Sequence, residues 1–546
     1  MNLENSQQYR TFLEELRDLA EFRQDYALDH PAAGLDGQDP DVKRIIEAMA
    51  FFSARTRIAL NRSLDAGNQR LYQQFFSFLL TPLPSMAMVQ AIPTGTLTEV
   101  LNLPAGTEIA LQPTKGGLVI FNTTQAMRIL PMSLVQTKQD LSVESGSRLL
   151  LSFKANYRLN EQPETLRLHI NYLNDLSLSL KVLQFFGMAL QKVSVQFDEY
   201  DQEQPTLPCG FSLGTLPLDI ADDQRLQPME LERQYFHFPQ QELYLQVELP
   251  AAPRNWRQFT VILDCDRTWP RHLRINSKLF QLFTVPLVNN QRAMAQPIMC
   301  DGTQEHYTIR HPEPELGFCL QKVLGVYEVG EQGLSPLRPG VLSGGNGSYE
   351  IEQGPMQEYG GYLYRLVPHF PASFEQPRTL VIEALWQQPW YDQILPNPHT
   401  LQVFRRQIQG LQWELTDTAI AHAENPQLHD INRYLHLLTL MHKVSLGAQD
   451  VKDLLSALGS VSAGQFQKVF NNLVDVRLEE EPGEGYKNKQ IYYLQFKPQA
   501  VEFNEMLGPF AHHVGRVLDL WLSDAKVEAA WEILDELNDT NNGVNS

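Results

Sequence analysis

The chain has 546 residues, with 64 Asp and Glu against 44 Lys and Arg, for a formal charge of −20 at pH 7. That length exceeds what one hydrophobic core can organise and predicts about three domains. The acid excess argues against nucleic acid as the main partner, because neutralising phosphates takes a surplus of Lys and Arg. A hydrophobic share of 43% and a charged share of 20% are globular values and exclude large-scale disorder.

No apolar run approaches the ~20 residues of a membrane span, so no direct membrane insertion is expected. Residues Met1–Asn5 lack a basic region leading into an apolar core, so no secretory signal is read. Cys209, Cys265, Cys300 and Cys319 are scattered without a CxxC pair, as in a reduced, cytoplasmic protein.

In chain order, Tyr9, Phe12, Leu13, Leu16 and Leu19 recur at helical spacing. Pro31 and the stretch Gly34–Gly37 end that helix. Asp39 is placed as an N-cap with Pro40 at the first helical position. Val42, Ile45, Ile46, Met49 and Phe52 then form one apolar stripe close to a heptad seam, which predicts burial in a bundle, partly against another chain. A third helix is read over Gln69–Leu80. After Pro84 the period changes. Thr96–Leu103, Thr107–Leu111, Leu118–Asn122 and Met127–Leu130 read as short strands between Pro and Gly turns. Leu166, Leu168 and Ile170 alternate with polar residues, as do Leu243, Leu245, Val247 and Leu249. Ser177–Leu190 is the clearest helix of this β-rich region.

From residue 411 the pattern is α+β. Helices are expected at Asn432–Leu440 and Asp450–Ala457, a strand at Ile491–Phe496, and a last amphipathic helix over 507–537 carrying Trp521 and Trp531. The fold class is therefore α+β and multidomain: a helical region over 1–90, β-rich domains over 91–260 and 261–410, and an α+β domain over 411–546.

No chemistry-bearing motif survives inspection. HExxH, GxSxG and the phosphate-cradling GxxxxGK[ST] are all missing. Ser343–Ser348 is glycine-rich but lacks the strand and helix that a phosphate cradle needs. Asp264 and Asp266 share a strand face but have no third ligand nearby. His512 and His513 diverge on a helix and cannot easily ligate one ion. No catalytic residue, metal or cofactor is assigned. Trp386, Trp390 and Tyr391 admit two readings, sugar stacking or core packing, so a carbohydrate-binding or carbohydrate-active β-rich protein is the alternative. Tyr235, Phe236 and Phe238, ahead of Pro239, read either as a core corner or as an interface anchor, since aromatic residues dominate interface hot spots.

Five segments follow in order: Asp39-Pro40-x-Val42-x-Arg44 with Ala50-Phe51-Phe52-x-Ala54-Arg55; Pro82-x-Pro84-Ser85-Met86; Leu103-Pro104-Ala105-Gly106-Thr107 leading to Phe121-x-Thr123-Thr124 and Leu130-Pro131; Glu232-x-x-Tyr235-Phe236-x-Phe238-Pro239; and Phe283-Thr284-Val285-Pro286-Leu287-Val288-Asn289. Together they resemble the TssF family (also called VasA or ImpG) of type VI secretion baseplate subunits. The resemblance covers residues 8–310.

It implies a non-enzymatic protein similar to the wedge proteins of contractile-phage baseplates. The partners it implies are TssG, a second TssF copy, TssK, TssE, and the spike, hub and sheath components, on a cytoplasmic baseplate docked at the inner membrane. Tyr9, Phe12, Leu16, Val42, Ile45, Ile46, Met49, Phe52, Tyr235, Phe236, Phe238, Trp521 and Trp531 are the candidate partner contacts.

Overall fold

The computed structural model describes residues 3–30, 39–113, 117–140, 146–201, 203–214, 227–331, 333–340, 347–356, 362–370, 376–390, 399–416, 419–423, 431–481, 488–522 and 525–534. It divides into two compact units, residues 1–77 and 78–546. The Pro31 and Gly34–Gly37 helix stop lies outside the described residues.

The first unit is built from α1 (Leu3–Asp29) and most of α2 (Pro40–Leu80). Asp39 caps α2, its carboxylate accepting from the Asp41 amide at 2.9 Å, with Pro40 at the first helical position. The expected third helix is a continuation of α2. Gly67 weakens a helix without ending it, and the departure comes later, at Phe76, whose φ of −132° and ψ of 39° kink the chain. Arg57 reaches Glu15 at 2.9 Å and ties the two helices together.

In the second unit, three motif-bearing strands and three others form a sheet. Its order is His399–Val403, Glu108–Pro113, Val119–Thr123, Thr284–Val288, Met86–Pro93 and Leu411–Leu415, all antiparallel. A second sheet has the order Phe280–Leu282, Thr165–Ile170, Tyr244–Glu248, Leu207–Leu213, Leu190–Phe197, Trp256–Cys265, Ser147–Leu159 and Met132–Asp140. Its strands alternate as a half-buried sheet must: Leu149, Leu151 and Phe153 are buried while Arg148, Leu150 and Ser152 are partly exposed. The helix α3 (Leu176–Ala189) joins this sheet, capped by Asp175, which accepts from the Leu178 amide at 2.9 Å. Then comes α4 (Pro228–His237). A third sheet gathers around Arg378–Gln387, flanked by Cys319–Gly330 on one side and by Gln291–Met294 and Ile298–Cys300 on the other.

The C-terminal region packs α5 (Ile431–Leu440), α6 (Ala448–Ala457), α7 (Gln467–Asn471) and α8 (Asn504–Trp521) with the strands Leu473–Glu481, Asn488–Phe496 and Ala525–Ile533. The expected helix over 507–537 is corrected here. It ends at Trp521, and Ala525–Ile533 is a strand parallel to Asn488–Phe496. The cause is in the sequence: Ala525, Val527, Ala529, Trp531 and Ile533 alternate with Lys526, Glu528 and Glu532, a period of two. The segment 535–537 lies outside the described residues.

Candidate partner-binding surfaces

The helical unit carries more apolar surface than its own packing uses. The inner face of α2 is Val42, Ile46, Ala50, Ala54 and Ile58, spaced four apart; Ala50 and Ala54 are buried and the others half-buried. Ile45, Met49 and Phe52 fall off that line and are more than half exposed. Burial of these three is therefore not achieved within this chain. Phe51, Leu60 and Leu64 are likewise exposed. On α1, Phe12, Leu16 and Leu19 are half-buried, while Tyr9, Phe22 and Leu28 are more than half exposed. Exposed apolar residues at this density on two helices exceed the scattered few that a surface needs no explanation for.

The aromatic cluster behaves otherwise. Tyr235, Phe236 and Phe238 are buried, so the interface-anchor reading is corrected in favour of a core corner. Phe236 packs edge-on against Phe466 and Phe510 of the C-terminal region, 5.7 and 5.8 Å between ring centroids. The side chains around it are charged. Glu232 accepts from His513 Nδ1 at 2.7 Å and from Arg516 at 2.8 Å. His513 Nε2 also lies 3.4 Å from Glu242, and its ring stacks on Tyr235 at 3.3 Å. Burial opposes the charge on His513, but the bonds to Glu232 and Glu242 outweigh it and raise its pKa.

Arg233 donates to the carbonyls of Leu458 at 2.7 Å and Phe78 at 2.8 Å, and to that of Thr81. It thereby joins the last turn of α2 to the end of α6, where cations are favoured by the helix dipole. His237 Nε2 lies 3.0 Å from the Pro84 carbonyl, and burial lowers its pKa to about 4. Sequence reasoning missed Glu232, Arg233 and His513 as a set. Charge beside the aromatic run marks Glu232 and Arg233 locally, but nothing local links them to His513, far along the chain.

Four of the five motifs meet in this region. Pro82–Met86 is held by His237 and by Gln321, whose amide donates to the Pro82 carbonyl at 3.1 Å. Met86 pairs with Val288, and the Asn289 amide donates to the Ser85 carbonyl at 2.8 Å. Gly106 and Thr107 bond to Thr123, and the Thr124 amide donates to the Pro286 carbonyl at 3.0 Å. Tyr244 donates to the Thr284 carbonyl at 3.0 Å. The motif residues thus satisfy one another's backbone groups and form a scaffold. A cleft of about 900 Å³ beside α4 is lined by Glu230, Glu232, Glu242, Lys322 and Arg516 among others. Three of its cations are ion-paired, Lys322 with Glu230 at 2.6 Å, Arg292 with Glu383 at 2.6 Å and Arg516 with Glu232.

The remaining candidates separate. Trp521 is half-buried near the end of α8, and Trp531 lies partly exposed on the last strand. Asp264 pairs with Arg148 at 2.6 Å, and Asp266 accepts from Gln191 at 3.1 Å. Among the described residues no three His, Cys, Asp or Glu side chains gather as metal ligands. Trp386 is buried, donating to the Ala293 carbonyl at 3.1 Å, which takes it out of any sugar platform. Trp390 donates to the Gly317 carbonyl at 3.2 Å, and Tyr391 lies outside the described residues. Among the described residues no helix is long and apolar enough to cross a membrane.

Comparison with curated proteins gives no match. Solved structures do resemble the chain. A chain of the TssK-TssF-TssG baseplate subcomplex of the type VI secretion system, determined by cryo-electron microscopy, superposes with a TM-score of 0.70 at 17% identity, covering 90% of this chain and 96% of that one. A chain of the type VI secretion baseplate complex gives a TM-score of 0.59 at 15% identity, covering 96% and 97%. At such identities the likeness is one of fold. The model of the type VI secretion system TssF family matches residues 1–338, more than half of the sequence, and the chain therefore belongs to the TssF family.

Proposed function

We propose that this chain is a structural wedge subunit of the type VI secretion baseplate and not an enzyme. Two copies join one TssG through the helical unit. TssK links that core to the inner membrane, TssE and the sheath dock on the wedge, and wedges surround the spike and hub. The protein works in the cytoplasm as part of this docked platform. Family membership supports the reading, as does the fold likeness to a chain from a TssK-TssF-TssG subcomplex.

The observation that carries the partner assignment is the unused apolar face of α2. Ile45, Met49 and Phe52 are exposed in the isolated chain, and burying such a side chain is worth about 1.5–3 kcal/mol. Those energies become available only when another helix covers the face. Trp531, partly exposed on the last strand, is the remaining candidate for contact between neighbouring wedges.

The test is co-expression with TssG. Met49→Glu should lower TssG recovery while leaving the sheets folded, because the position is solvent-facing in the free chain. Unchanged recovery would remove α2 from the interface.

A further inference from the structure

One surface of the β-rich body runs against the charge of the whole chain. Residues 267–278 contain Arg267, Arg271, His272, Arg274 and Lys278 and no Asp or Glu, in a protein with 64 acids and 44 Lys and Arg. All five side chains are exposed. Among the described residues no carboxylate lies within ion-pair distance of any of them, and the one carboxylate that feels their charge, Glu505 through His272, is already paired with Lys181. Like charges concentrated in twelve consecutive residues repel one another, so the chain gains nothing for its own stability by clustering them there.

The segment is also held firmly. Ser147 donates to the Arg267 carbonyl at 2.8 Å, and the Trp269 indole donates to the Leu273 carbonyl at 2.6 Å. The Arg274 amide donates to Tyr172 Oη at 2.8 Å, and the Asn171 amide donates to the Leu279 carbonyl at 3.0 Å. Trp269, Leu273 and Leu279 are buried beneath it, with Trp269 edge-on to Phe185 of α3 at 5.1 Å. The backbone is thus fixed before any partner arrives, which lowers the entropy lost on binding. Asp266, just ahead of the segment, is engaged by Gln191.

One apolar side chain, Met188, sits beside Arg267, and a second, Leu173, follows Tyr172, which holds the Arg274 amide. Met188 is more than half exposed, and its sulfur accepts from Arg267 Nη1 at 3.9 Å. Leu173, adjacent to Tyr172, is also more than half exposed. Arg and Met are enriched at protein interfaces, and a guanidinium matches a carboxylate in a two-bond fork.

We propose that residues 267–278, with Leu173 and Met188, form a preorganised docking surface for a carboxylate-bearing surface of another protein. Charge complementarity selects that occupant. The patch is the basic exception on a strongly acidic molecule, and three of its four permanent cations are arginines. A nucleic acid or an anionic membrane presents an extended polyanion that the rest of this chain repels. The proposal is independent of which assembly the chain belongs to.

The test is fluorescence anisotropy at low salt with three probes: a labelled peptide of repeated Glu-Ala-Leu-Glu units, an oligothymidylate of equal charge, and phosphatidylglycerol vesicles. The full-length chain is compared with an Arg271→Glu, Arg274→Glu variant. A charge-matched control carries Arg254→Glu and Arg257→Glu, at exposed positions on and just before the strand Trp256–Cys265. The peptide should bind the wild-type chain in preference to the other probes. Its affinity should drop about tenfold or more in the patch variant and less than about twofold in the control, and it should weaken with added salt. Equal losses in both variants, or no peptide binding by the wild-type chain, would overturn the proposal. So would tighter binding of the oligonucleotide or vesicles, or a concentration-dependent dimer of the chain alone that the patch variant abolishes, since the occupant would then be a different one. An unchanged thermal midpoint in the patch variant is expected, because every altered side chain is exposed.

Discussion

Glu232→Gln should loosen α8 from α4 while leaving the large sheets intact. The Glu232 side chain is 2% exposed and the His513 side chain 5%, so the bond between them is shielded from water. After the change, His513 keeps only Glu242 at 3.4 Å. Removing one member of a buried ion pair costs about 3–5 kcal/mol. The amide still offers one acceptor, and Arg516, half-exposed, regains water, so the loss expected for this variant is about 2–3 kcal/mol. Hydrogen exchange read by mass spectrometry should show α8 amides exchanging at least about thirtyfold faster, since 1.4 kcal/mol is tenfold. Amides of the strand Ser147–Leu159 should not change. The double variant Glu232→Leu, His513→Leu should recover part of the loss, because no orphan charge remains. A change in α8 exchange below about twofold in the single variant would mean that the Glu232–His513 bond does not hold α8 in place.

Stability should fall on both sides of neutrality, for opposite reasons. The raised pKa of His513 means that its contribution is complete below the unfolded value of about 6.5 and is lost as pH rises through the folded value, so α8 docking should weaken as pH rises above about 6.5 and be flat in His513→Gln. Burial first of all lowers His169 and His237 to about 4, so between roughly pH 6.5 and 4 the unfolded chain binds more protons and each histidine withdraws on the order of 3 kcal/mol; His237→Gln should flatten that acid limb in urea titrations. Gly464→Ala would place a Cβ 2.3 Å from the Ser460 carbonyl oxygen and 3.0 Å from that of Phe236, and should cost about 1–3 kcal/mol by thermal unfolding. Purified protein should hold no stoichiometric metal, and Asp264→Asn with Asp266→Asn should leave TssG binding intact; about one tightly held ion per chain in elemental analysis would contradict this.

Local periodicity made much of the fold legible. The helix Leu176–Ala189 and the strands Thr165–Ile170 and Tyr244–Glu248 follow directly from spacing. The rotation of α2 does not. Val42, Ile45, Ile46, Met49, Phe51 and Phe52 put apolar residues on several sides, so a heptad line and a four-residue line both fit, and the second is the one the chain packs. At the C-terminus, helical apolar spacing through Trp521 invited extension of the helix, and the strict alternation from Ala525 was overridden. Pairing of Met86–Pro93 with Leu411–Leu415 leaves no local trace, because closure between distant segments is decided by tertiary packing. The charged group around Glu232 was hidden for the same reason, since His513 lies far along the chain.

If another subunit completes the exposed face of α2, charge on that face should release it. The most direct measurement is TssG recovery by co-purification from cells expressing Ile45→Glu, Met49→Glu, Phe52→Glu or, as a control for the inner face, Ala54→Glu. The three outer-face variants should stay soluble with unchanged thermal midpoints and lose TssG, while Ala54→Glu should lose the fold of the helical unit itself, because a charge there has no partner. Full TssG recovery with all three outer-face variants would mean that this face of α2 is not where TssG binds.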